Sequence, residues 1–188
     1  MVAPPPLTTR PVGPEQLDEL ATLFATSRNT RRCWCTAPCG RGSGFALGWV
    51  TGTNSRRFAD LAARGDAPMG VLASVGAEPV GWCACGPRSR YAAATTGTPS
   101  QEDDGDVWFV ACLYVHPAHR GQGVTATLLR AAVDVASRSG AKALEARPAT
   151  GSDSAGHAFR GRESLFAELG FRWTASTDQA LPVMRRSS

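Results

Sequence analysis

The segment VWFVACLYVHPAHRGQGVTATLL, residues 107–129, carries the clearest structural signal in the chain. Nine mostly apolar residues typical of a buried strand lead to Pro117, which ends strand pairing because it has no amide hydrogen. Gly121 and Gly123 then stand directly before a run with helical spacing. A strand, a glycine turn and a helix leave unpaired backbone N–H groups at the positive end of the helix dipole. The segment therefore predicts an anion site, and we favour a diphosphate with Arg120 at its mouth.

Helices and strands are predicted to alternate on both sides of this segment. Residues 28–48 have no period and are predicted to form a loop with a short helix, and the polar, acidic residues 88–106 are predicted to form a long loop. This order predicts an α/β (α+β) fold with one mixed sheet. The predicted strands are 7–12, two within 69–86, 107–115, 142–146, FRWTAS (171–176) and ALPVMRR (180–186), and the helices are 14–27, 55–65, 123–139 and 163–169.

Length and composition limit the classes of protein to consider. The 188 residues are 43% hydrophobic, so we expect a proline-rich leader at 1–6 and a single domain at 7–188. The net charge of +4 gives no sign of a nucleic-acid partner, and no apolar run reaches the length of a membrane helix. The start of the chain lacks the pattern of an export signal, so we expect a cytoplasmic protein with reduced cysteines.

Two familiar phosphate-binding motifs can be compared with the glycine turn. The P-loop pattern fails because no Gly-Lys-Ser/Thr follows. The dinucleotide fingerprint nearly fits as Gly121-x-Gly123-x-x-Ala126, with Glu145 where a ribose-binding acid would stand. Against it, residues 116–120 separate the strand from the first glycine, and about forty residues after Glu145 are too few for the second half of a doubly wound sheet. A nicotinamide dinucleotide remains an alternative ligand at this point.

The motif LYVHPAHRGQGVTATLL (113–129) resembles the acyl-CoA-binding motif of the GNAT superfamily of N-acetyltransferases, whose core is Arg/Gln-x-x-Gly-x-Gly/Ala after a strand. ALEARP (143–148) and SLFAELGF (164–171) resemble the next strand and the C-terminal signature of that family. The resemblance implies six to seven mostly antiparallel strands flanked by about four helices. It also implies acetyl transfer from acetyl-CoA to a primary amine on a small-molecule or peptide acceptor. A non-catalytic acyl-CoA-binding regulatory module is the alternative.

The resemblance assigns the coenzyme site to the strand end and the glycine turn. Backbone groups of Leu113, Tyr114 and Val115 would face the pantetheine arm. Thr125 departs from the Gly or Ala usual there, which adds a hydroxyl donor but narrows the turn. The residues expected at the diphosphate are Arg120, Gly121, Gln122, Gly123, Val124, Thr125 and Ala126.

The catalytic groups are less well defined. Glu145 lies where some family members carry a proton-accepting glutamate. We favour the alternative, in which Glu145 is a strand carboxylate paired with Arg147 or Arg162. Asp106 is a second candidate base. The family often has a tyrosine acid where this chain has Phe166, and a phenyl ring has no proton to donate. The group that protonates the CoA sulfur therefore remains open: it is Tyr114, Ser164 or water, or there is no dedicated acid.

The segment between the first two helices is expected, from the resemblance, to wall the acceptor pocket. Trp34, Trp49, Arg31 and Arg32 would line that pocket; alternatively, the two tryptophans belong to the core. Cys33-x-Cys35-x₃-Cys39 is a poor match to zinc-site spacing, so no metal is expected. Arg88 is either an acceptor contact or a surface arginine. QEDDGD (101–106) is either a solvated loop or a lip attracting a cationic acceptor, and the strand within ALPVM (180–184) either completes its own sheet or pairs in a homodimer.

Overall fold

The computed structural model describes residues 5–39, 44–65, 67–95, 106–150, 159–174 and 182–187. Seven strands in these ranges form one sheet in the order β1-β2-β3-β4-β5-β7-β6. Only β4 and β5 pair in parallel; the other five pairings are antiparallel. The predicted mixed, mostly antiparallel sheet is therefore confirmed. The strands are β1 Leu7–Pro11, β2 Gly70–Val75, β3 Glu78–Pro87, β4 Val107–Val115, β5 Ala143–Ala146, β6 Arg172–Trp173 and β7 Met184–Ser187.

Six α-helices lie in the described ranges, against four located from the sequence and one short helix expected within residues 28–48. Residues 28–48 were predicted to be mainly a loop, but one helix spans Arg28–Cys33 and a second, Gly44–Thr51, begins in this segment and extends beyond it. Ser27 starts the first of them, because its hydroxyl oxygen accepts the amide hydrogen of Asn29 at 3.3 Å. The second exposes Leu47 and Val50, so it has no polar outer face from which a helical period could be recognised. The helices are α1 Leu17–Ala25, α2 Arg28–Cys33, α3 Gly44–Thr51, α4 Asn54–Ala63, α5 Val124–Arg138 and α6 Glu163–Glu168.

Helix α5 packs against the middle of the sheet through a regular apolar stripe. Val124, Leu128, Ala132 and Val135 are all buried on this face. Gly81 on β3 permits the close approach, since a Cβ atom there would lie 2.7 Å from Val124 Cγ1 and 3.0 Å from Leu128 Cδ1. A side chain at position 81 would therefore push away the first turn of α5, the turn that carries the predicted anion site.

The two faces of the sheet bury separate hydrophobic clusters. One cluster holds α5 and Phe166 of α6, and the other holds α1, α4 and the aromatic rings of Phe24, Phe58 and Trp82. Strand β7 pairs with β5 on one side and β6 on the other, so it completes its own sheet. No helix in the described ranges is long and apolar enough to cross a membrane. Residues 1–4 of the predicted leader and 96–105 of the long loop lie outside the described residues.

Candidate active site

The start of α5 forms an open cradle of backbone N–H groups. Gly121 and Gly123 have φ angles of +74° and +78°, the left-handed conformation that glycine adopts readily. A Cβ atom on either would meet nothing within 4 Å, so the space in front of the turn is open. The first helical bond runs from the amide of Thr127 to the carbonyl of Gly123 at 3.1 Å. The amides of residues 124–126 therefore have no acceptor within the helix and point toward this space.

Side-chain hydrogen bonds stabilise residues 115–122, the turn that leads from β4 to the cradle. Arg120 Nε donates to the Val115 carbonyl at 3.3 Å, and Gln122 Nε2 donates to the Ala118 carbonyl at 3.1 Å. His116 Nδ1 accepts from the Ala118 amide at 3.2 Å, and its ring lies edge-on to His119 at 5.7 Å. The two histidines thus stabilise the turn beside Pro117.

Strand β4 continues beyond its partner β5 and leaves one edge open. The parallel pairing covers only residues 107–110 of β4 and 143–146 of β5. His116 donates its amide to Val80 on β3 at 2.9 Å, and residues of a strand direct their backbone groups to alternate sides. The backbone groups of Leu113 and Val115 therefore face the open edge, whereas those of Tyr114 face Trp82 on β3. Two of the three residues predicted for the pantetheine arm thus present their backbone to the gap.

A β-bulge stands where the two parallel strands part. Ala84 pairs with Cys112 and Cys85 pairs with Val110, which leaves Ala111 as the extra residue without a partner on β3. Because of the bulge, Ala111 and Cys112 both pack toward the α1 and α2 side of the sheet. Nothing in the apolar run of β4 marks this bulge, because the run has no glycine or proline in its middle.

A cavity of about 240 Å³ opens beside the bulge. Segment 28–39, which includes α2, supplies most of one wall, as expected for the region between the first two helices. Trp49 is part of the lining, whereas Trp34 packs edge-on against Phe24 at 5.3 Å in the core. Arg31 and Arg32 are exposed, and Arg32 Nη1 donates to the Trp49 carbonyl at 3.0 Å. The described lining residues are Asn29, Thr30, Cys33, Cys35, Ala37, Pro38, Trp49, Ala111, Cys112 and Phe159.

The thiols at and near the cavity are held in their protonated form. Burial, with a smaller contribution from Cys35, raises the pKa of Cys33 to about 11. Burial likewise raises the pKa of Cys39 to about 12. A hydrogen bond with Cys112, followed by burial, raises the pKa of Cys35 well above its ordinary value. The thiol rather than the thiolate is therefore the neutral-pH form of all three, which makes them poor nucleophiles. Within the described residues, no group of three or more His, Cys, Asp or Glu side chains is placed to hold a metal ion.

Glu145 lies buried on β5 between two arginines. Its Oε1 is 3.2 Å from Arg185 Nη1, and its Oε2 is 3.7 Å from Arg88 Nη1. Arg88 is itself 4% exposed, so it is not a surface residue, and its guanidinium faces a carboxylate of the protein. The geometry favours the ion-pair interpretation of Glu145 over the proton-acceptor interpretation. Arg88 and Arg185 are the partners described, in place of the suggested Arg147 and Arg162.

The other two candidate catalytic residues lie apart from the cavity lining. Asp106 pairs with Lys142 at 2.7 Å on the surface and precedes Ala111 by five strand residues, or about 17 Å. The Tyr114 hydroxyl lies 2.9 Å from Thr26 Oγ1, which itself donates to the Leu23 carbonyl at 2.6 Å. Since the threonine proton is used in that bond, the tyrosine proton points to Thr26.

The two phenylalanines at the positions of family polar residues lie on opposite faces of the opening. Phe166 is fully buried and packs edge-on against Phe171 at 5.2 Å. Phe159 lines the cavity beside Ala111 and Cys112. Gly161 between them sits against Leu113, because a Cβ atom there would lie 2.9 Å from Leu113 Cδ1. Residues 159–161 thus approach the open part of β4.

The sheet parts beside the open start of α5, and a bulge and a cavity lie at the parting. The family model described as Acetyltransferase (GNAT) family matches residues 24–162. The chain therefore belongs to the GNAT acetyltransferase family and is an acetyl-CoA-dependent N-acetyltransferase. This assignment removes the dinucleotide-binding alternative.

Solved structures with the same fold differ widely from the chain in sequence. The PaiA N-acetyltransferase of Thermoplasma acidophilum in complex with coenzyme A is 13% identical, with a TM-score of 0.57 over 97% of this chain and 99% of that one. The GNAT domain of S. lividans PAT is 21% identical, with a TM-score of 0.54 over 96% and 89%. A GNAT acetyltransferase of Brucella melitensis in complex with acetyl-CoA is 13% identical, with a TM-score of 0.51 over 97% and 88%. None of the curated proteins matches the chain in sequence.

Several residues of the site were not recognised from the sequence. Ala111 and Cys112 owe their position to the bulge, and Arg185 reaches Glu145 through the pairing of β5 with β7. Cys35 and Cys112 are far apart in the chain and meet only in the folded protein. The segment between the first two helices was expected to form a pocket wall, but nothing in the sequence indicated that Cys112 of β4 would meet Cys35 there.

Proposed function

We propose that the protein transfers the acetyl group of acetyl-CoA to a primary amine in a ternary complex. The observation that carries this proposal is the continuity of three features. These features follow one another from the start of α5 back along β4. They are the open amides of residues 124–126, the backbone edge of Leu113 and Val115, and the cavity at Ala111. A diphosphate, an extended pantetheine arm and an acyl group occur in that same order in acetyl-CoA.

The cradle would bind the diphosphate chiefly with main-chain donors. The amides of Val124, Thr125 and Ala126 face the open space, and the helix dipole adds partial positive charge there. Arg120 is exposed next to the turn and supplies a full positive charge. Leu113 and the amide of Val115 would then pair with the amide groups of the pantetheine arm as an added strand would, while the Val115 carbonyl keeps its hydrogen bond from Arg120 Nε.

The transfer step needs a neutral amine, a polarised carbonyl and a leaving thiolate. The amine nitrogen attacks the thioester carbon, the C–N bond forms, the C–S bond breaks, and the nitrogen releases one proton. The bulge offers the unpaired backbone of Ala111 as a donor for the developing oxyanion. The departing thiolate takes a proton from water or from the positively charged nitrogen of the tetrahedral adduct, so the buried Phe166 ring does not prevent turnover.

In this mechanism the candidate acid–base residues have structural roles. Glu145 holds Arg88 and Arg185 together beneath the parting of the strands, and Tyr114 fastens β4 to the end of α1 through Thr26. Asp106 pairs with Lys142 at the opposite end of β4. Direct attack without a dedicated protein base then depends on the acceptor being neutral when it binds.

The test is coenzyme binding by two matched glycine variants. Gly123 and Gly140 have nearly the same left-handed φ, +78° and +81°, and both have open space where a Cβ would stand. Gly123→Trp fills the cradle, whereas Gly140→Trp changes the far end of α5. Calorimetry with CoA is expected to show at least a hundredfold weaker binding for Gly123→Trp and unchanged binding for Gly140→Trp.

Equal binding by the two variants would contradict the placement of the diphosphate. Release of free CoA thiol from acetyl-CoA, measured with a panel of primary amines, tests the transfer itself. Tight binding with no amine-dependent release across the panel would favour the regulatory acyl-CoA-binding module instead.

A further inference from the structure

The cavity at the bulge is apolar and carries no fixed charge within the described part of the chain. Its lining there contains three thiols, two aromatic rings, alanine and proline, and only Asn29 and Thr30 bring other polar groups. The Thr30 hydroxyl is directed to the Phe24 carbonyl at 2.9 Å and the Ser27 carbonyl at 3.2 Å. A cationic ammonium entering this space would therefore find no carboxylate among the described lining residues.

Among the residues that the structure describes, the groups near the cavity do not supply negative charge either. The thiol Cys33, with its pKa raised by burial, stays neutral around pH 7. Glu145 has Arg88 and Arg185 beside its two oxygens. Moving an ammonium ion from water into such surroundings disfavours its charged form. An ordinary alkylamine is neutral in only roughly one molecule in 2,500 at pH 7, so an acceptor of that kind would need a base or a counter-charge.

From this chemistry we infer that the cavity accepts a weakly basic aromatic amine, which is uncharged at neutral pH before it binds. The inference depends on the proposed acetyl transfer and specifies its acceptor. Trp49 and Phe159 provide aromatic faces, and Ala111 and Cys112 border the cavity where the sheet parts. The volume of about 240 Å³ agrees with one ring and a small substituent, since an apolar cavity of about 150 Å³ binds benzene.

The first experiment compares acceptors of similar shape and different basicity. CoA release is measured at pH 7 with aniline and 4-methylaniline, with benzylamine and cyclohexylmethylamine, and with spermidine. We expect kcat/KM for the two anilines to exceed that for the two alkylamines by at least tenfold, and spermidine to be inactive.

The second experiment introduces a charge at one wall of the cavity. Cys33→Asp adds a carboxylate, and Cys33→Asn is the matched neutral control of nearly the same shape. Relative to the asparagine variant, the aspartate variant should improve the ratio of benzylamine to aniline kcat/KM by about tenfold. Equal ratios in the two variants would contradict a cavity whose charge sets the acceptor class.

The outcomes separate this inference from the proposed function. Turnover of spermidine or benzylamine in preference to the anilines would overturn the inference while leaving acetyl transfer intact, and would favour a cationic acceptor. Calorimetric binding of aniline to the CoA-loaded protein without any acetylation would support the cavity assignment and contradict the transfer. Failure of both binding and turnover with the anilines would overturn the inference.

Discussion

Glu145→Gln separates a structural carboxylate from a catalytic base. The substitution keeps the shape of the side chain and removes the negative charge between Arg88 and Arg185. In the wild-type protein this carboxylate is buried and stands within 3.7 Å of both guanidinium groups. We expect a large loss of stability, because the guanidinium groups of Arg88 and Arg185 then lose the negative charge that they share.

The size of the loss can be worked out from the burial of the three partners. Removing one partner of a buried ion pair costs about 3–5 kcal/mol. Arg185 keeps 24% of its side chain exposed and can turn toward water, so the lower end of that range, about 3 kcal/mol, applies. For a protein of this length, a destabilisation of about 1 kcal/mol lowers the Tm by about 2–4 °C, which gives a decrease of about 6–12 °C.

Thermal unfolding followed by circular dichroism measures this decrease. Glu168→Gln on the exposed side of α6 is the control and should leave the Tm within about 1 °C. Below the Tm, Glu145→Gln is expected to keep the pH profile of kcat/KM, because the carboxylate takes no proton from the acceptor in our mechanism. The combined Arg88→Met and Glu145→Gln variant should recover part of the lost stability, since it also removes one of the two cations.

A Tm within about 1 °C of the wild type, together with a hundredfold lower kcat and loss of the lower limb of the pH profile, would refute this reasoning. That result would make Glu145 the general base that the family resemblance suggested.

Three further predictions concern the packing around the site. Gly81→Ala places a Cβ 2.7 Å from Val124 Cγ1, so it should lower the free energy of unfolding, measured by denaturant titration, by about 1–3 kcal/mol and also weaken CoA binding. Unchanged CoA binding would show that Gly81 does not position the cradle. Tyr114→Phe removes the hydrogen bond to Thr26 and should cost about 1 kcal/mol in the same titration without lowering kcat, whereas a large fall in kcat would reveal a proton donor. Cys33 has a folded pKa of about 11 against an ordinary 9.0, so its native alkylation rate should rise about tenfold per pH unit from pH 8 to 10. The contribution of this thiol to stability is present below pH 9 and is lost as the pH rises toward 11, because the thiol of the unfolded chain ionises first. An equal pH dependence of the free energy of unfolding in wild type and Cys33→Ser would contradict this prediction.

The glycine turn and the helix after it were predictable because their signals are local. Gly121 and Gly123 stand at the two positions of this turn that have positive φ, and the apolar spacing from Val124 to Val135 matches the buried face of α5. The succession of strands along the chain was predictable for the same reason, since each apolar run is bounded by turn residues. Such features need only a few neighbouring residues to be recognised.

The chemistry of the cavity was harder to predict because it depends on distant pairings. Glu145 stands opposite Arg185 only because β7 pairs with β5 in one particular register. Ala111 leaves the β3 ladder through a bulge that nothing in its run of apolar residues marks. Helix α3, which begins in segment 28–48 and ends at Thr51, has an apolar exposed side, so the amphipathic period that identifies helices is absent there.

The most direct measurement of the central claim is a crystal structure of the protein with acetyl-CoA. We predict that the diphosphate oxygens lie within hydrogen-bond distance of the amides of residues 124–126, and that the pantetheine arm follows Leu113 and Val115. The acetyl group should then face the cavity at Ala111. A coenzyme bound elsewhere on the protein, or a diphosphate held without these amides, would contradict the account.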